Sequence, residues 1–105
     1  MTFDKLIEHI TDWADEKGLL YPDNSPKQSM KMMEEMGETM GAILKGKDDE
    51  IVDGIGDTFV TLIILTKQMD LDPTECLEAA YNEIKDRRGK NVNGTFIKEN
   101  NKTYE

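Results

Sequence analysis

The sequence predicts an all-α fold of four helices, and three observations carry that prediction. Apolar residues recur at three-and-four spacing along most of the chain. Helix start and stop signals bracket each such run. The one stretch rich in β-branched residues belongs to a helical period far longer than an ordinary strand.

The first helix is predicted over residues 2–17, where Phe3, Leu6, Ile7, Ile10, Trp13 and Ala14 form one stripe. Gly18 is its natural stop. Residues 19–24, with Pro22 and turn formers, read as a loop that Leu19 and Leu20 tuck against the core. The second helix is predicted over 25–44: Ser25 as cap, Pro26 in the first position and Gln28 completing a capping box. Lys45-Gly46-Lys47 ends it, with cations opposing the helix dipole and a glycine turning the chain.

The third helix is predicted over 49–69, because Ile51, Val52, Ile55, Phe59, Leu62, Ile63 and Thr66 keep a helical period without a turn signal. Residues 59–65 are apolar nearly all round, and four short helices supply too few neighbours to enclose them. A homo-oligomer, dimer or tetramer, is therefore expected. The fourth helix is predicted over 73–88, with Asp72 as cap, Pro73 and Glu75 in its first turn and Gly89 as its stop. Residues 90–105 read as an irregular tail docked by Val92, Phe96, Ile97 and Tyr104, so the chain reads as a single domain.

Charge bounds the function classes. Thirteen Lys and Arg against 22 Asp and Glu leave a net charge of −9 among 105 residues. Such a surface repels duplex phosphates, and no nucleic-acid partner is expected. The longest apolar stretch falls far short of the roughly 20 residues a membrane span needs, and the amino terminus lacks a signal-peptide pattern. The lone Cys76 requires no oxidising compartment and reads as a small core residue. The cytoplasm is the expected setting. His9 lies off the apolar stripe and reads as exposed, and the seven methionines read as gap fillers between helices.

The informative cluster is acidic. Glu35 and Glu38 lie three apart on the second helix and Asp53 and Asp57 four apart on the third, so each pair projects from one face of its helix. A short connection makes the two helices antiparallel neighbours. Charged residues are mostly solvated, and the glutamates alone would read so. Their apolar neighbourhood of Met32, Met33, Met36, Met40, Ile51, Ile55 and Phe59 makes uncompensated carboxylates costly, however. Four oxygen donors from facing helices suit magnesium, with manganese as a substitute. Gly37, Gly41, Gly54 and Gly56 each cost about 1 kcal/mol against alanine in a helix; close approach of a ligand or another backbone would explain them.

An EF-hand fails. With Gly54 at loop position six, Ile51 and Val60 fall where calcium needs carboxylates. Opposite charge completes the constellation: Asn82, Lys85 and Arg88, spaced by threes, and Lys31, four before Glu35, are candidate phosphate or sugar contacts. Cations beside a metal cage suit a triphosphate. Trp13, Tyr21 and Phe96 are aromatic candidates for base stacking, with Trp13 read as structural.

Gln-Ser-Met-Lys-Met-Met-Glu-Glu-Met-Gly-Glu (28–38), Asp-Gly-Ile-Gly-Asp (53–57) and Asn-Glu-Ile-Lys-Asp-Arg-Arg-Gly (82–89) together resemble the MazG-type nucleoside triphosphate pyrophosphohydrolases. The resemblance covers 27–96. It implies a four-helix MazG-like domain that assembles through a helical bundle. It also implies magnesium-dependent hydrolysis of (deoxy)nucleoside triphosphates at the α–β phosphate bond, giving monophosphate and pyrophosphate.

Glu35 and Glu38 match that family's first acidic pair and Asp57 the last acid of the second. Where the family has its other glutamate this chain has Gly54, and Asp53 stands one residue away as a substitute, directly or through a water. The implied roles are Glu38 orienting or deprotonating the attacking water, and Lys85 with Arg88 stabilising the leaving pyrophosphate. The other reading is a catalytically weakened oligomer that binds nucleotide or a protein partner. Restoring the acid as Gly54→Glu is the expected way to tell the two apart.

Overall fold

Local chemistry sets each helix where the periodicity places it. The Thr2 hydroxyl accepts a hydrogen bond from the Lys5 N–H at 3.2 Å and caps α1 (Phe3–Glu16). Gly18, at φ +73°, turns the chain out of it. A short 3-10 turn, Pro22–Asn24, then runs directly into α2 (Ser25–Lys45). Gly46 closes α2 in the left-handed conformation that its missing Cβ permits, and Lys47 N–H donates back to the Ala42 carbonyl at 3.1 Å. The chain reverses at once into α3 (Asp48–Gln68). α4 (Pro73–Ile84) follows, and two antiparallel strands, β1 (Gly89–Val92) and β2 (Thr95–Lys98), complete the order.

The computed structural model describes residues 1–99. Tyr104, expected to help dock the tail, lies outside the described residues. The chain divides into two compact units, Met1–Pro73 and Thr74–Glu105. In the first, α2 and α3 form an antiparallel hairpin and α1 packs on α3. Ile7, Ala14, Ala42, Ile63 and Ile64 make its core, and Phe3 meets Phe59 edge to face with ring centres 5.9 Å apart.

Three sequence expectations are corrected here. Ser25 is helical and caps nothing through its side chain, because the 3-10 turn already supplies the entry to α2. Gln28 is buried instead of completing a capping box: its Nε2 donates to the Thr61 carbonyl of α3 at 3.0 Å. Cys76 is exposed, since α4 has no buried residue.

The second unit departs further. The tail read as irregular from residue 90 forms a hairpin, with Asn93 at φ 51° and Gly94 at φ 87° as its two-residue turn. The Asn91 side chain accepts the Gly94 N–H at 2.7 Å. Phe96 lays its ring over Gly89, where a Cβ would collide with it. α4 consequently ends at Ile84 instead of residue 88. The Arg88 carbonyl accepts the Glu99 N–H at 2.8 Å, so the chain there is committed to pairing with β2's extension.

In the first unit, Met36, Met40, Phe59 and Leu62 remain 53%, 61%, 48% and 42% exposed, so the helix expected to be surrounded is not covered by its own chain. No helix among the described residues is long and apolar enough to cross a membrane.

Candidate active site

The two acid-bearing helices meet closely because of one glycine. Gly54 is buried against α2, and a Cβ there would run into the Thr39 hydroxyl and lie 3.1 Å from Thr39 Cβ and 3.2 Å from its Cα. Backbone thus approaches backbone at the position where the resembled family carries a glutamate. Thr39 is itself buried, and its hydroxyl donates to the Glu35 carbonyl at 2.8 Å, so the polar atom at the crossing has its partner within α2. Gly54 is therefore a packing residue. Gly54→Glu, the variant expected to restore an acid, would press on Thr39 and wedge the helices apart. Gly37, Gly41 and Gly56 have open space where a Cβ would go, so close approach within the chain explains Gly54 alone of the four.

Around this crossing the structure gathers Lys31, Glu35, Asp53 and Asp57. Glu35 is buried, and the Lys31 ammonium lies 3.4 Å from its carboxylate and 3.6 Å from that of Glu34. The hydrogen bond to Glu35, then the charges of Glu34 and Glu35, hold the ammonium above its usual range. Asp57, half-buried on α3, has its carboxyl raised above the usual range. Burial is the largest cause, the negative charges of Asp53 and Glu35 follow, and Lys31 opposes them. Asp57 on α3 thus feels the charge of Glu35 on α2. Glu38 is exposed; seven residues, or nearly two turns, beyond Lys31, it shares that side of α2.

Asp53 and Asp57 also line a cleft of about 470 Å³ between α1 and α3, with Phe3, Leu6 and Ile10 on its other wall. This apolar cleft beside the acids carries no periodicity of its own, and its signal in the sequence is only that the α1 stripe and Asp53 each border a core face. Trp13 and Tyr21 are not among its lining residues.

As they stand, no three His, Cys, Asp or Glu side chains among the described residues converge to hold a metal ion. The donor chemistry fits one nonetheless. Asp57, raised first by burial and then by the charges of Asp53 and Glu35, belongs to a set of carboxylates on two helices that a hard divalent cation relieves. Thr39 closes position 54, so the donors on offer are Glu35, Glu38, Asp53 and Asp57.

Asn82 lies in the last turn of α4, whereas Lys85 and Arg88 follow its end, so the shared helical face expected from their spacing does not form. Arg88 pairs with Glu99 at 3.3 Å and Arg87 with Glu83 at 3.3 Å; Lys85 is exposed.

Comparison with known proteins agrees with the helical fold. The family described as Phosphoribosyl-ATP pyrophosphohydrolase (PRA-PH) matches residues 2–84, a helical family of the same all-α NTP pyrophosphatase superfamily as the MazG-type enzymes. Over 68 residues the chain is 43% identical to an uncharacterized 18.2 kDa protein in the rep-hol intergenic region of Haemophilus phage HP1 (strain HP1c1). That match takes in 65% of this chain and 42% of the relative's length. No solved structure gives a significant match.

Proposed function

The chain belongs to the phosphoribosyl-ATP pyrophosphohydrolase family, and from that premise we propose that it hydrolyses (deoxy)nucleoside triphosphates at the α–β phosphate bond, releasing monophosphate and pyrophosphate. The observation that carries this reading is Asp57, half-buried on α3 within reach of the Asp53 and Glu35 charges, with Asp53 and Asp57 lining an apolar cleft. Glu35, Glu38, Asp53 and Asp57 would hold magnesium, with manganese as a substitute. Held there, the cation would supply charge to neutralise the phosphate chain and polarise the phosphoryl oxygens.

The chain's own residues supply the rest. Glu38, exposed on the side of α2 that bears Lys31, orients or deprotonates the attacking water. Lys31 offers its ammonium to the phosphates as a mobile point charge. For Asn82, Lys85 and Arg88 of the second unit, contact with phosphates or sugar and stabilisation of the leaving pyrophosphate are proposed from the family resemblance alone. A homo-oligomer, dimer or tetramer, would cover the apolar side of the α2–α3 pair, where Met36, Met40, Ile43, Ile55, Phe59 and Leu62 line a groove of about 300 Å³.

Pyrophosphate release from each canonical ribo- and deoxynucleoside triphosphate, with magnesium, manganese or chelator, tests the proposal. Chelator-sensitive production of monophosphate and pyrophosphate supports it, and the absence of turnover with every substrate and both metals refutes it.

One observation favours a second reading, a weakened relative that binds nucleotide or a protein partner: glycine stands where the resembled family has its other glutamate, and Thr39 closes that position. Saturable nucleotide binding without turnover would select that reading.

A further inference from the structure

The buried Glu35 carboxylate needs a cation, and the structure gives it one from its own helix. Lys31 sits one turn earlier on α2 with its ammonium 3.4 Å away. This pair is built to be exchanged. Its order, lysine before glutamate at i,i+4, is the weaker of the two orientations on a helix. The lysine side chain is 52% exposed, so its flexible stem is free to swing while the ammonium stays hydrated. A second acceptor, Glu34, is already 3.6 Å from the same ammonium. If Glu35 is withdrawn, the ammonium is not stranded.

Asp53 and Asp57 come from α3, and the Glu35 that faces them from α2 is engaged by Lys31. We propose that Lys31 is the resting counter-ion of Glu35, and that a divalent cation entering the cluster takes Glu35 from it. Lys31 is then a positioning residue that sets metal affinity, its released ammonium held by Glu34 until a phosphate arrives. This rests on the metal-dependent reading above.

The exchange makes lysine and metal competitors for one carboxylate. Binding of Mn²⁺ to the full-length, nucleotide-free protein, followed by the paramagnetic resonance signal of free Mn²⁺, measures that competition. Lys31→Met removes the charge and keeps the stem. It is expected to bind Mn²⁺ about three- to tenfold more tightly than wild type. Lys45→Met makes the same change in net charge in the last turn of α2, ten residues from Glu35. Because solvent and salt screen that distance, it is expected to change affinity by less than about twofold. In wild type, the Lys31 ε-methylene NMR resonance is expected to move as Mg²⁺ saturates the site.

Equal affinities for the Lys31→Met and Lys45→Met proteins overturn the proposal, as do weaker binding by Lys31→Met or a stationary Lys31 resonance. Failure of every variant to bind Mn²⁺ overturns it as well. Tighter binding by Lys31→Met with no hydrolysis of any nucleotide would leave the counter-ion role standing and refute the enzymatic reading, so the two fail separately.

Discussion

The α2–α3 hairpin has two sides, and they solve opposite problems. One carries Lys31, Glu35, Asp53 and Asp57, where like charges crowd and Asp57 is held above its usual range. The other carries Met36, Met40, Ile43, Ile55, Phe59 and Leu62 around a groove with no charged lining residue. Each side is incomplete in a physical sense: the first sets Lys31 alone against Glu35, Asp53 and Asp57, the second lacks cover. Both rest on the same contact, Gly54 against Thr39, which brings the helices close enough to build either. Polar strain on one side and apolar exposure on the other mark chemistry and assembly respectively.

The sharpest way to break both sides at once is to widen their shared seam. Gly54→Glu is expected to cost about 3 kcal/mol or more, from overpacking and a buried carboxylate. Gly54→Ala should cost about 1–3 kcal/mol through its Cβ alone. Urea unfolding midpoints check both, and a stable, more active Gly54→Glu protein would return Gly54 to the status of a missing ligand.

Separating the sides comes next. Glu38→Gln is expected to lower pyrophosphate release about 100-fold or more, as loss of a general base does. It should leave the oligomer mass unchanged. Met40→Glu should act in the reverse sense, weakening self-association about tenfold or more by placing a charge in the apolar groove. Light scattering over a dilution series measures that effect.

The smallest effect concerns Asp57 in metal-free protein. Its carboxyl ionises at higher pH in the folded than in the unfolded state, where the ordinary value is 3.8. Ionised Asp57 therefore costs stability above its raised value, and that cost disappears as pH falls below the unfolded one. Asp57→Asn should unfold at a slightly higher temperature than wild type at pH 7 in chelator, with the difference shrinking toward pH 3. Calorimetric scans across that range check the sign. Adding magnesium should reverse the order, since only wild type retains the ligand.

Much of this was legible in the residues. The helical period placed four helices, and the spacings of Glu35 with Glu38 and Asp53 with Asp57 put acids on facing helices. His9 is exposed, as its place off the stripe predicts. The hairpin carried a local signal in Asn93-Gly94 between Val92 and Thr-Phe-Ile, which the polar composition of the tail obscured. Composition weighed a whole segment where two residues decided its turn. The end of α4 was less accessible, because it depends on Arg88 pairing with Glu99 rather than on any stop residue.

By itself, then, the sequence determined the helices, their faces and the residue types available for chemistry, since periodicity and capping are local. Only the tertiary structure decided that Gly54 is a contact point, that Gln28 reaches Thr61, and that Asp57 on α3 feels Glu35 on α2. A helical period records which way a side chain points from its own axis. What it meets there depends on how closely a second backbone approaches, and that distance is a property of the packed pair.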